Sequence, residues 1–190
     1  ILDALEDTGY AKNTVVIMTA DHGEGSGHHQ MVLKNYLYDE AAKVPMLISW
    51  SGEAPAGKQD SAHLVSGIDI TPTICDYAGV PCPQEVAGRS LRPLVEGKSV
   101  QWRETVVSEV ARGGRMVRTH EFKYIVYPND PVEQLFDWKT DSSETRNVAP
   151  KSEYARALED HRRLLKDWEG RLKIVAKNSR PQPDPMPALK

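Results

Sequence analysis

The 190-residue chain is long enough for one full domain or parts of two. Hydrophobic residues make up 39% and charged residues 27%, which excludes long disorder and collagen-like repeats, and no run of 18 apolar residues is present to span a membrane. The formal charge of -3 leaves no polyanion-binding footprint, so no nucleic-acid partner is expected. Two cysteines are too few for a disulfide-dense scaffold, and they either pair or stay free.

Ile1, Leu2 and Leu5 sit at helical spacing with no capping residue ahead of them, and Gly9 reads as the stop. A helix entered without a cap suggests a chain entered midway, and no signal-peptide pattern is present. Val15 to Met18 is a short β-branched run that reads as a strand buried on both faces, as in parallel sheets. It runs out into Thr19-Ala20-Asp21-His22-Gly23, followed by a polar loop over 23–33. Val44 to Trp50 reads as a second strand of the same, mainly parallel sheet, and 51–61 as a Gly/Pro/Ser loop. Thr71-Pro72 opens a helix that Gly79 closes, with Pro72 at its first position. This alternation is that of an α/β fold.

Near residue 97 the pattern changes. Thr105–Val110, Arg115–Thr119, Phe122–Tyr127 and Glu133–Asp137 are short β-rich runs with polar links, which predicts an antiparallel meander. Tyr154, Leu158, His161, Leu165, Trp168 and Leu172 recur at steps of three and four, predicting one amphipathic helix over 152–175 that covers a face of the meander. Its Arg156, Arg162, Arg163, Lys166, Arg171 and Lys173 alternate with acidic residues, the pattern of a solvated face. Residues 178–190 hold four prolines in thirteen and read as a tail.

Asp21-His22 stands at the C-terminal end of a strand, the edge at which open α/β sheets bind ligands. A carboxylate beside an imidazole offers oxygen and nitrogen ligands to a divalent cation. The dipeptide alone reads equally as an Asp capping a turn beside an exposed His.

The wider spacing adds a likeness. Asp21-His22-Gly23-Glu24, Gly27-His28-His29, Lys34, Tyr38-Asp39-Glu40 and Val44-Pro45 follow one another in a series that resembles the sulfatase family of the alkaline phosphatase superfamily. In that family a metal-binding Asp followed by Asn or His precedes a substrate-binding Lys, then a Tyr, an acidic pair and a Val-Pro strand. Ile68-Asp69-Ile70-Thr71-Pro72-Thr73, Gly88-Arg89-Ser90-Leu91, Lys123-Tyr124-Ile125, Gln134-Leu135-Phe136-Asp137, Glu144 and Asn147 continue the resemblance, which covers residues 1–175. It implies the C-terminal part of an alkaline-phosphatase-like α/β/α sandwich over 1–96, a small antiparallel four-stranded sheet with a C-terminal helix over 97–175, and a Pro-rich tail over 176–190.

The resemblance implies a hydrolase of sulfate esters. Asp21 and His22 become ligands of one divalent metal ion. Ca2+ is the expected ion, with Mn2+ or Zn2+ also suited by the imidazole of His22. Lys34 becomes the catalytic and substrate-binding cation at the ester oxygens, and His29 the group that protonates the leaving oxygen or touches the ester. His28, Tyr38 and Glu24 read as supporting residues, and Asp69 as a turn or cap residue. The family's formylglycine nucleophile, made from Cys or Ser in a Cys/Ser-x-Pro-x-Arg segment, has no counterpart here. Cys75 lies within a helix, and Cys82 is followed by Pro83-Gln84-Glu85 without the Arg. The chain alone is therefore expected to be inactive and to self-associate. The implied substrate is a sulfated carbohydrate or aryl sulfate, and the implied location periplasmic or extracellular. A phosphonate or phosphate ester hydrolase of the same superfamily, or a non-catalytic α/β module, are the other readings.

Overall fold

In the computed structural model of the chain, which describes residues 1–51, 54–111 and 113–172, helix α1 (Leu2–Asp7) buries none of its residues and ends ahead of Gly9. Behind it β1 (Val15–Thr19) pairs with β2 (Met46–Trp50), Ile17 opposite Ile48. The pair is antiparallel, which corrects the parallel expectation. The link between the strands holds only short helical turns, a 3-10 turn at His28–Gln30 and α2 (Asp39–Ala42), and no long crossover helix of the kind that carries a chain back to a parallel neighbour. One face of the pair is also open. Val15 and Ile17 line a cleft with Ile74, Tyr77 and Ala78, and Trp50 meets Tyr77 edge-on at 5.2 Å between ring centroids. On the opposite face Met18 and Leu47 are 59% and 54% exposed, so the strand expected to be buried on both faces is covered on one.

Helix α3 (Ile70–Ala78) carries Ile74, Tyr77 and Ala78. It begins at Ile70, which puts Pro72 third in its first turn, where a missing N–H still removes no intrahelical bond. Gly79 ends it in the left-handed region (φ 66°, ψ 28°), a conformation glycine takes without steric cost. Asp69 caps the entry as expected. It is fully buried, accepts the Ser66 N–H at 2.9 Å and the Arg89 N–H at 2.8 Å, and is held by both terminal nitrogens of Arg103 at 2.6 and 2.5 Å. A further single turn, α4 (Arg92–Val95), follows.

The meander forms as expected: β3 (Val106–Glu109), β4 (Arg115–Arg118), β5 (Phe122–Val126) and β6 (Gln134–Asp137) lie in that order, all antiparallel. Period-two alternation sorts their side chains onto two faces. Val117, Tyr124 and Leu135 pack under Leu158 and Leu165 of α5 (Ala155–Glu169). Met116, Ile125 and Phe136 face the other way and enclose Leu37, with Tyr38 and Ala42 beside it. The helix was expected to cover one face; the segment between β1 and β2 covers the second. Each fully buried Leu, Ile or Phe contributes roughly 1.5–3 kcal/mol, so this contact ties residues 37–42 firmly to the sheet.

The outer side of α5 is ion-paired, Arg162 with Glu133 and Glu159, and Arg163 with Asp160 at 2.7 Å. Cys75 and Cys82 are both free. Among the described residues no helix is long and apolar enough to cross a membrane. The expected tail over 176–190 and the last residues of the expected 152–175 helix lie outside the described residues.

Candidate functional site

Asp21 and His22 follow the end of β1, and the loop behind them folds back on itself. Gly25 N–H donates to Leu33 O at 3.1 Å and Gly27 N–H to Met31 O at 2.8 Å. This return brings Lys34 over His22, with Nζ 2.5 Å from Nε2. Asp21 Oδ2 lies 3.2 Å from the same Nε2, and the His22 backbone N–H donates to Asp21 Oδ1 at 3.0 Å. His22 Nδ1 is 2.7 Å from the carbonyl of Gly23. A carbonyl only accepts, so Nδ1 carries the proton and the Nε2 lone pair points outward, toward Asp21 and Lys34. The three predicted residues therefore converge on one point. The site opens to solvent there, with the Asp21 side chain 84% exposed.

Gly23 is essential to this placement. Its N–H donates to Ala41 O at 2.9 Å, and a Cβ on it would fall 1.9 Å from the carbonyl oxygen of Glu40. Only glycine allows the Asp21-His22 turn to lie directly on the backbone of α2.

The structure separates His29 from that trio. Among the described residues no hydrogen bond links it to Asp21, His22 or Lys34. Its imidazole stacks on Tyr38, ring centroids 4.1 Å apart and planes 14° from parallel. His29 Nε2 is 3.6 Å from Glu40 Oε2, and His28 Nδ1 is 3.2 Å from Glu40 Oε1. His29 itself is left-handed (φ 51°, ψ 25°), as are Ser26, Gln30 and Leu33, a density of strained backbone that accumulates at functional sites.

Beneath this loop lies a buried ion cluster. Lys123, fully buried on β5, reaches Asp39 Oδ1 at 2.8 Å and Glu144 Oε1 at 2.7 Å. Glu144 Oε2 accepts the Asp39 N–H at 2.8 Å. Burial pushes the Glu144 carboxyl above its ordinary range, and Lys123 opposes that rise. Burial likewise raises the phenols of Tyr38 and Tyr127. One ligand atom each from His29, Glu40 and Glu144 lies within 4.8 Å of the others, but the Lys123 ammonium already supplies a positive charge to this group.

Glu40, Lys123, Glu144 and Gln134 were legible only as members of the motif series. The contacts of Lys123, Gln134 and Glu144 with residues 38–39 span 84 to 105 positions, and no local pattern announces them. Asn147 of the same series pins β6: its Oδ1 accepts from Leu135 and Ala149 N–H, both at 3.0 Å, and its Nδ2 donates to Glu133 O at 2.9 Å. A wide cleft along β2, lined by Lys58, Asp60 and His63, contains none of the predicted residues.

A family model described as N-sulphoglucosamine sulphohydrolase, C-terminal, matches residues 27–170. The chain is 37% identical over 196 residues to the Delta 4,5-hexuronate-2-O-sulfatase of Bacteroides thetaiotaomicron, covering 97% of this chain and 40% of that protein. To the Arylsulfatase K of Homo sapiens it is 36% identical over 168 residues, covering 80% of this chain and 30% of the relative. A solved protein in complex with its substrate D-glucosamine-2-N,6-O-disulfate superposes with a TM-score of 0.81 at 29% identity, over 89% of this chain and 36% of that one. The phosphonate monoester hydrolase of Agrobacterium radiobacter superposes with a TM-score of 0.78 at 28% identity, over 88% and 37%. The chain thus spans 40% or less of the length of these relatives. On the family match and the identity to named sulfatases, the chain belongs to the sulfatase family of the alkaline phosphatase superfamily and matches that family's C-terminal region.

Proposed function

We propose that, in the complete protein, this chain supplies a metal-ligand pair, Asp21 and His22, and an ester-binding lysine, Lys34, to a hydrolase of sulfate esters carried by a sugar or aryl group. The observation that supports this reading best is the convergence of these three side chains at the end of β1, within 3.2 Å of one nitrogen.

The donor set suits a divalent cation. Asp21 offers a carboxylate, and the Nδ1–H bond to Gly23 O leaves His22 Nε2 as a free-facing lone pair, the tautomer that ligation needs. The 3.2 Å between Oδ2 and Nε2 matches neighbouring positions around an ion with bonds of about 2.0–2.4 Å. Ca2+ is the proposed ion by family likeness, and the nitrogen donor also suits Mn2+ or Zn2+. Such an ion withdraws charge from the ester as a Lewis acid. Its remaining ligands, and the formylglycine nucleophile, are assigned to segments outside this chain.

Lys34 faces the same His22 nitrogen that would ligate the ion, and with that nitrogen occupied its ammonium would be left to face an anion. Charge grows on the non-bridging and leaving oxygens as the S–O bond breaks, and a fixed ammonium stabilises it. His29 is assigned to the leaving oxygen, which its imidazole protonates. A sulfate monoester carries one negative charge, in keeping with one lysine and one divalent ion. The same count suits a phosphonate monoester, and the likeness to the Agrobacterium radiobacter enzyme supports that second reading.

Side-by-side assays of the complete protein on nitrophenyl sulfate, nitrophenyl phosphate and a phenylphosphonate monoester decide between them. The sulfate should have the highest specificity constant; a higher value for the phosphonate replaces the sulfate reading. The open face at Met18 and Leu47 supports self-association of the isolated chain, which sedimentation would contradict by showing a stable monomer.

A further inference from the structure

We propose that Tyr38 and Gln134 are positioning residues for His29: the C-terminal sheet holds the Tyr38 ring, and that ring sets the plane of the imidazole. The inference deepens the assignment of His29 to the leaving oxygen and rests on it.

Three bonds from the meander side bracket Tyr38. Its neighbour Leu37 donates its N–H to Tyr127 Oη at 3.1 Å, and its other neighbour Asp39 donates its N–H to Glu144 Oε2 at 2.8 Å. Gln134 Nε2 donates to the Tyr38 phenol oxygen at 3.1 Å. The ring leans on Phe136 with centroids 5.8 Å apart and planes tilted 56°. Its outer face carries the His29 imidazole at 4.1 Å. His29 has little else to define its ring plane. Its backbone is in the left-handed region, and its contact with Glu40, at 3.6 Å, is beyond hydrogen-bond length. The stack on Tyr38 is the contact that fixes the direction of its ring N–H. Proton transfer depends on that direction and on a donor–acceptor distance of about 2.6–3.2 Å.

Gln134 is otherwise unexplained. Its amide oxygen is buried and finds no partner among the described residues. An unmet buried acceptor costs stability, and an apolar side chain of the same size avoids that cost. The amide is accounted for by its bond to Tyr38. A residue that costs the sheet stability while ordering the site is the signature of a positioning role.

Leaving-group chemistry separates this from a merely structural role. Nitrophenolate departs without a proton, whereas a sugar alkoxide requires one, so a misplaced acid is felt only with the second. In the complete protein, Gln134→Leu should melt at the same or a higher temperature and lose about tenfold in kcat on a sugar sulfate, with KM and nitrophenyl sulfate turnover little changed. This is a fraction of the roughly 10²–10⁴ that a positioned acid contributes. Tyr38→Leu should lose more, and Tyr38→Phe, which keeps the ring but not the phenol, should resemble Gln134→Leu. Placement is read without activity from the His29 ring-proton resonance of ¹³C-histidine-labelled protein, assigned with His29→Asn. The stacked Tyr38 ring should hold it upfield, Tyr38→Leu should abolish that shift, and Gln134→Leu should reduce it.

An unchanged resonance in Gln134→Leu overturns the proposal, as does an equal loss on both substrates. If His29→Asn itself loses equally on both, the leaving-group assignment fails and the proposal with it. If the wild type hydrolyses no sulfate ester, the proposed activity fails, and the resonance alone decides whether the sheet positions His29.

Discussion

Residues 20–36 and the meander over 106–137 are built on opposite terms. The first contains no strand, takes four left-handed non-glycine conformations and leaves Asp21 largely in solvent. The second is regular, covered on both faces, and puts Val117, Ile125 and Leu135 at zero exposure. The candidate chemistry sits on the irregular region, and the regular one contributes no group to the cluster at Lys34. What joins them is residues 37–42, whose apolar side chains enter the sheet's second core and whose Asp39 meets Lys123. An irregular loop keeps a defined shape when a rigid element holds its base. The difference teaches that the candidate site and the regular order of the fold lie in separate parts of the chain.

Removing a group from the loop should hurt chemistry and spare the fold. The largest effect is expected from Asp21→Ala. Bound metal, measured by elemental analysis, and turnover of nitrophenyl sulfate should fall together by about a thousandfold or more, because metal assistance is worth several kcal/mol. Retention of activity within tenfold would remove Asp21 from the site.

Breaking the link should instead cost stability. Lys123→Met leaves Asp39 and Glu144 facing each other without their cation, and loss of one partner of a buried pair costs about 3–5 kcal/mol. Denaturant unfolding measures this, and adding Glu144→Gln should recover part of it. A loss under about 1 kcal/mol would mean that the ion cluster does not tie loop to sheet. Slightly smaller, and purely catalytic, is Lys34→Ala. It should lower kcat by on the order of 10²–10³ with an unchanged unfolding curve. A parallel drop in stability would show that the loop is less independent of the fold than the comparison holds.

The smallest effect lies where α5 packs on the meander. His161, on the inner side of α5, is 4% exposed, donates from Nδ1 to Ala157 O at 2.7 Å, and burial holds its pKa below the ordinary histidine value. The unfolded chain therefore binds a proton near pH 6.5 that the folded chain refuses, so stability is complete above that pH and declines as pH falls below it. The slope is at most about 1.4 kcal/mol per pH unit from this one group. His161→Leu should flatten the unfolding free energy between pH 7 and 5. An unaltered slope would assign the acid sensitivity to other groups.

The elements that were legible are those written in local pattern. Phe122–Val126 and Gln134–Asp137 alternate between two cores, and Leu158, His161 and Leu165 repeat on one side of α5, so strand and helix follow from period alone. Asp21 and His22 were readable because a β-branched run ends just before them. The antiparallel pairing of β1 with β2 was not, because a buried strand has the same composition in either orientation. His29 was read as touching the ester or its leaving oxygen, and its contacts with Tyr38 and Glu40 were not part of that reading. Spacing along a loop carries no information about which way its left-handed residues turn it.

The amino-acid sequence by itself determined the element types, the shift from α/β to meander near residue 97, and the caps at Asp69 and Gly79, whereas the grouping of 21, 22 and 34 came from the family resemblance. The first three depend on backbone propensity and short-range chemistry, which neighbours along the chain settle. Only the tertiary structure decided that the meander has a second buried face, that Leu37 and Tyr38 fill it, and that Lys123 joins Asp39 to Glu144. Asp39 alone is bonded to residues 84 and 105 positions away. These contacts exist because a two-faced sheet and a buried charge must each find a partner, and the chain satisfies both needs with one loop.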